Sequence, residues 1–160
     1  MQIEFGGGEH PRKPNYKQVD IRKLPKIDFV CNAWEIDTLV PKNSVSDVYS
    51  RHFFEHLTFH QGSLTLKSWF KILKTGGRVE MILPNMMFHI KQWLDKSNQE
   101  HANAGFWGWQ RDNSDWVWDV HKSGYDKDTL KTCVEKHNFK NYKSLDTDSS
   151  KHLHVEFFKS

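Results

Sequence analysis

The sequence predicts a three-layer α/β sandwich, a mostly parallel sheet flanked by helices with one antiparallel strand at an edge. Three observations carry that expectation. Short apolar runs alternate with helical patterns along the chain, the arrangement that builds strand–helix–strand units. The last two apolar runs lie close enough to pair as a hairpin. The chain has 160 residues, the length of one ordinary domain with its own core. Together these describe a single Rossmann-like domain over 1–160.

The elements follow in order. Ile3-Glu4-Phe5 opens the sheet and runs into Gly6-Gly7-Gly8. A loop with Pro11 and Pro14 leads to a second strand, Tyr16 to Ile21, then a third over Asp28–Cys31 and a fourth over Ser46–Ser50. Ser63 is placed to cap a helix whose Leu66, Trp69, Phe70 and Leu73 recur at i, i+3, i+4, i+7. Thr75-Gly76-Gly77 closes it, because a left-handed C-cap favours glycine. Arg78 to Leu83 alternates into a fifth strand that Pro84 stops. Asn85 caps a helix with Met86, Ile90, Trp93 and Leu94 on one side. Residues 98–125 lose periodicity and read as a lid or substrate loop. Asp126 caps a helix carrying Leu130, Cys133, Val134 and His137. Strands near Asn141–Leu145 and Leu153–Phe158 end the chain; in the last, Leu153, Val155 and Phe157 share one face.

Composition narrows the classes. Lys+Arg 23 against Asp+Glu 20 gives +3, too small a balance to argue nucleic-acid binding. No apolar run reaches the roughly 18 residues of a membrane span. The N-terminus lacks the basic and apolar regions of a signal peptide, and Cys31 and Cys133 read as two buried free thiols, so a cytoplasmic protein is expected. The partners expected are a small-molecule acceptor and a second copy of the chain, with neither nucleic acid nor membrane.

A glycine triplet directly after a strand lets a ligand approach the backbone. Asp20, at the end of the next strand, can accept hydrogen bonds from both hydroxyls of a ribose. Gly6 and Asp20 are 14 positions apart, whereas a dinucleotide fingerprint spaces them by about 20. The intervening segment, with its two prolines, is too short for a full crossover helix. A nucleoside without a pyrophosphate suits this loop better.

From here the chain resembles the class I S-adenosylmethionine-dependent methyltransferases, in the small branch where a short loop replaces the first helix. The resemblance runs through Phe5-Gly6-Gly7-Gly8-Glu9-His10-Pro11, Asn15-Tyr16 to Val19-Asp20-Ile21, and Asn43 to Ser50. It continues in His52-Phe53-Phe54-Glu55-His56-Leu57, Leu73 to Arg78, Leu83-Pro84-Asn85, His121 to Tyr125 and Asn138-Phe139-Lys140. It implies S-adenosylmethionine (SAM) as cofactor, S-adenosylhomocysteine (SAH) as product, and methyl transfer to an oxygen or nitrogen of a small molecule such as a sugar or glycan precursor. By the same resemblance Glu4 faces the methionine amino group, Gly6, Gly7 and Gly8 line the methionine and ribose, Phe5 belongs to the same cofactor site, and Asp20 binds the ribose hydroxyls. Ile21 packs on the adenine, Asn32, Ala33 and Trp34 form the adenine wall, and Arg51 and His52 lie beside the methionine end. Trp34 is bulkier than the family's usual residue, and Thr75 replaces its customary proline.

His121 is the first candidate for a catalytic base and His52 the second, since one lies in the loop over the cofactor and the other follows the fourth strand. His52-Phe53-Phe54-Glu55-His56 also spells H-x-x-E-H, and His52, His56 and His60 would share one face of a helix. That opens an alternative, a zinc hydrolase with His10, Glu9 or His121 as third ligand. A non-catalytic SAM-binding or degenerate module is the other alternative; no metal is assigned to the first reading. Four of the seven tryptophans, Trp107, Trp109, Trp116 and Trp118, crowd one stretch, as a stacking platform, a packed lid or a dimer contact. Arg12, Lys13, Lys17, Arg22, Lys23 and Lys26 form an early basic cluster, either a solvated face or an attraction for an acidic acceptor.

Overall fold

The computed structural model of the chain describes residues 1–112, 116–147 and 149–160, with the side chain of Trp116 also outside the description. Among the described residues seven strands form one sheet: β1 (Gln2–Phe5), β2 (Lys17–Asp20), β3 (Phe29–Val30), β4 (Val45–Arg51), β5 (Leu73–Pro84), β6 (Phe139–Ser144) and β7 (His152–Lys159). Their order is β3-β2-β1-β4-β5-β7-β6. The first five are parallel, and β7 runs antiparallel to both of its neighbours. The reversed strand therefore lies one position in from the edge, with β6 outside it. Among the described residues no helix is long and apolar enough to cross a membrane.

The two faces of the sheet differ in chemistry. One register row, Phe5–Ser50–Met81–Val155, is buried and points into the core. There it meets Leu66, Trp69 and Ile72 of α1 (Phe59–Ile72), Ile36 of a 3-10 turn (Ala33–Thr38), and Leu130 and Val134 of α5 (Lys127–Lys136). The next row, Gln18–Glu4–Tyr49–Glu80–Glu156–Lys143, crosses six strands and is polar or amphipathic throughout. The loop 6–16 and long side chains cover it. Tyr16 donates to Asp47 at 2.6 Å, and Arg78 bridges Asp47, Glu80 and Glu156 at 3.1, 2.9 and 3.6 Å.

Several expected boundaries move. The α1 helix begins at Phe59, because Thr58 caps the Gln61 amide and Gln61 returns the bond. Ser63 is inside the helix, its hydroxyl 2.8 Å from His137. The helix ends where Leu73 turns extended, so the left-handed residue Gly76 lies beyond it, in the irregular start of β5. Asn85 and Asp126 do cap α2 (Met86–Leu94) and α5. The segment 98–125 contains α3 (Gln99–Trp107), capped by Asn98, and a short α4 (Trp116–Asp119). The α3 helix escapes periodicity because its buried side is Ala102, Ala104 and Gly105, too small to register as apolar. The α2 helix does not bury the side that carries Ile90, Trp93 and Leu94. Its buried residue is His89, fitted so closely on Gly105 that a Cβ there would lie 2.3 Å from the imidazole, while Ile90, Trp93 and Leu94 are exposed.

Candidate functional site

The chain reverses its winding between β1 and β4, and ligands in open α/β sheets sit outside the carboxyl ends of the strands at such a point. A cavity of about 630 Å³ opens there. It brings together eight of the residues singled out from sequence: Phe5, Gly6, Asp20, Ile21, Asn32, Ala33, Trp34 and His52. Glu4, Gly7, Gly8 and Arg51 do not line it. A second cavity of about 460 Å³ adjoins, lined by His52, Glu55, His56, His89, His101, His121 and His152 among others. His52, His56, Arg111 and Asp119 belong to both, so the two spaces share a wall. A larger groove of about 840 Å³ under α2 contains none of the singled-out site residues.

The loop 6–16 takes its shape from Glu4 rather than from a helix. The Glu4 carboxylate is buried and accepts from the Arg12 and Lys13 amides at 2.8 and 2.7 Å and from Gln18 Nε2 at 3.3 Å. Both of its oxygens thus accept from the protein itself. Gly7 lies over the same pair, and a Cβ there would come within 2.8 Å of Gln18 and 3.1 Å of Glu4. Gly6 has φ +71°, and a Cβ would lie 2.6 Å from the Phe53 ring. The triplet thus serves close packing at Gly7 and a left-handed turn at Gly6, and only Gly6 borders the cavity.

Asp20 sits where a ribose-binding acid is expected, at the end of β2, but its oxygens are taken. Arg22 donates to it from its amide at 2.9 Å and from Nε and Nη2 at 3.0 and 3.1 Å. The guanidinium carbon also lies 5.8 Å from the Trp118 ring centre. Arg22 therefore closes the acid end of the cavity, with Trp118 beside it. The sequence places Arg22 only in the basic cluster; the one signal of its pairing with Asp20 is a cation two positions after the acid. The basic cluster is dispersed in the fold, with Lys13 on Glu80 and Lys17 on Asp28 as well as Arg22 on Asp20.

Of the tryptophans, Trp118 lines the first cavity and Trp109 the second, while Trp107 lines neither and is exposed. The side chain of Trp116 lies outside the described residues.

His52, His56 and His60 do not share a helix face. His52 has φ +46°, residues 54–56 form a separate 3-10 turn, and α1 starts only at Phe59. Instead His52 Nδ1 lies 3.3 Å from Glu55 Oε1. The Glu55 carbonyl accepts from the Lys122 and Ser123 amides at 2.8 and 3.2 Å, which holds the 121 segment beside this turn. His121 is thereby brought edge-on to His56, ring centres 5.0 Å apart. Burial pushes the His121 imidazole below its usual pKa. His10 and Glu9, the other third ligands considered, lie in the exposed loop.

No protein-family model and no curated protein matches the sequence. Solved structures do match in shape. A SAM-dependent methyltransferase from Thermotoga maritima, named as a possible histamine N-methyltransferase, superposes with TM-score 0.69 at 13% identity over 99% of this chain and 82% of its own. One from Archaeoglobus fulgidus gives 0.63 at 15% over 98% and 85%. This chain has the class I methyltransferase fold. Human N-acetylserotonin methyltransferase, solved with SAM, gives 0.61 at 10% identity over 99% of this chain and 47% of its own length. Within that fold the present chain lacks a helix between β1 and β2, as its spacing predicted.

Proposed function

We propose that this protein is a methyltransferase that moves a methyl group from S-adenosylmethionine to an oxygen or nitrogen of a small molecule. The observation that carries the reading is the cavity at the switch point, with Gly6 and Asp20 at the ends of adjacent strands and a shared wall to a histidine-lined space. At about 630 Å³ it is within the range of small-molecule sites. Asp20 would take the ribose hydroxyls once Arg22 swings aside, Ile21 and Trp34 would pack on the base, and the open backbone at Gly6 would let the ligand lie close. When bound, the cofactor supplies an electrophilic methyl group ready-made. The chain's share is to hold the acceptor in line, to exclude water and to take a proton.

His121 and His52 are the residues proposed for that proton. His121 Nδ1 lies 2.9 Å from the Gly105 carbonyl, and a carbonyl only accepts. The neutral ring therefore keeps its lone pair on Nε2. Trp109 would contact the acceptor side and Trp118 the cofactor side. The half-buried free thiols Cys31 and Cys133, which burial raises above the usual range, fit a reducing, cytoplasmic compartment.

Calorimetric titration with SAM and SAH tests the reading. Saturable binding is expected in the unaltered protein. Asp20→Ala should lose about tenfold or more, and Arg22→Ala, which frees the acid, should bind tighter rather than weaker. Equal binding by Asp20→Ala would remove the ribose assignment. Binding without SAH release from SAM in the presence of candidate acceptors would favour the non-catalytic module.

A further inference from the structure

We infer that Glu55, His56 and His121 form a binding site for a divalent first-row transition metal of the zinc class, opening onto the histidine-lined cavity beside the cofactor pocket. Each residue offers one ligand atom, and the three atoms lie within 4.8 Å of one another.

The chemistry of each group points the same way. Glu55 is 1% exposed, and its Oε2 has no hydrogen-bond partner among the described residues, a costly state for a buried carboxylate oxygen. Its other oxygen is held by His52 at 3.3 Å, so the carboxylate is oriented from one side and bare on the other. His56 Nδ1 lies 3.0 Å from the Val120 carbonyl and His121 Nδ1 lies 2.9 Å from the Gly105 carbonyl. Both carbonyls fix the ring hydrogens on Nδ1, which leaves both Nε2 lone pairs for an ion. Imidazoles that bind metals are held in this way by a partner on the other nitrogen. Two imidazoles and one carboxylate select zinc-class ions over magnesium or calcium, which prefer all-oxygen sites. A tetrahedral ion at about 2.0–2.1 Å spaces its ligands by roughly 3.4 Å, so side-chain rotation must draw the three groups inward on binding.

His52 is not a ligand in this arrangement; it positions Glu55. That differs from the H-x-x-E-H reading, in which the two histidines ligate and the glutamate does not. The ion's remaining coordination positions face the cavity. There, if the methyl-transfer reading holds, an oxygen of the acceptor reaches the ion and is polarised by it. A bound ion uses the His121 Nε2 lone pair, which leaves His52 on the shared wall as the proton acceptor.

The test needs no cofactor. Chelator-treated protein is titrated with Zn²⁺ by calorimetry, and with Co²⁺ by visible absorption. One ion per chain with micromolar or tighter affinity is expected, together with d–d bands of a four- or five-coordinate Co²⁺ site. Millimolar Mg²⁺ should not displace it. Glu55→Gln and His121→Asn should each weaken Zn²⁺ by about 100-fold or more, and both should collapse the Co²⁺ bands. His101→Asn, which lines the same cavity outside the trio, should change neither. If buried Glu55→Gln proves unfolded by circular dichroism, His121→Asn carries the result alone. Unchanged affinity and spectrum in His121→Asn, or equal losses in His101→Asn, would overturn the site. Asp20→Ala should lose SAH and keep Zn²⁺, so failure of the cofactor reading and failure of the metal site give different results.

Discussion

Replacing Glu4 with alanine is expected to cost about 2 to 4 kcal/mol of stability, because it strips the charged acceptor from two backbone amides and a buried glutamine. The Arg12 and Lys13 amides and the Gln18 amide group all converge on this one carboxylate. In a sheet with a full crossover helix, packing of that helix would hold the β1–β2 connection; here a single side chain organises it. Glu4→Gln keeps one acceptor oxygen and should lose roughly half as much. Urea denaturation of the two variants gives the comparison, and limited proteolysis within residues 6–16 should speed up in the alanine variant. A variant of unchanged stability that loses only SAM affinity would instead support the ligand role implied by the family resemblance.

Acidification is expected to weaken the fold through two buried histidines. His89 is buried against Gly105, and burial, helped by nearby His101, pushes its pKa down to about 4. His152 is lowered to about 4 as well, chiefly by burial and then by His52. A histidine depressed in the fold remains neutral there while the unfolded chain protonates near its ordinary value of about 6.5. The unfolded state then binds more protons, so stability falls as pH drops from about 6.5 toward 4. For His89 alone this is about 2 kcal/mol at pH 5. The lowered carboxylates, Asp28, Asp37 and Asp126 among them, lose their contribution only further down, below their ordinary range. Denaturation midpoints at pH 7.5 and 5 measure the slope. His89→Gln should flatten it, and an identical slope in that variant would refute the assignment.

The strands and the main helices were legible because large apolar side chains mark them. Leu66 and Trp69 declare α1, and Leu153, Val155 and Phe157 declare β7. The α3 helix was not legible, since Ala102, Ala104 and Gly105 bury little area and carry no periodic signal. The apolar side of α2 does not mark its buried face, because the close approach of His89 to Gly105 sets that face. At the site, strand ends located Asp20, Asn32 and Trp34, because topology fixes where those residues emerge. Arg22 on Asp20, Glu4 on the loop amides and Glu55 between His52 and the His56–His121 pair depend on side-chain directions, which spacing in sequence does not encode.

The polar row that crosses the sheet from Gln18 to Lys143 has a thermal consequence. A sandwich with apolar side chains on both sheet faces exposes both when it unfolds, and newly wetted apolar surface raises the heat capacity while polar surface lowers it. In this chain one face yields apolar surface and the other chiefly Gln18, Glu4, Glu80, Glu156 and their partners. The heat-capacity change of unfolding should therefore fall below the usual figure of about 12–15 cal/mol/K per residue, as calorimetry would register. A smaller change means a broader, flatter curve of stability against temperature, so cooling and warming from the optimum both cost this fold less than they cost a domain buried from both sides.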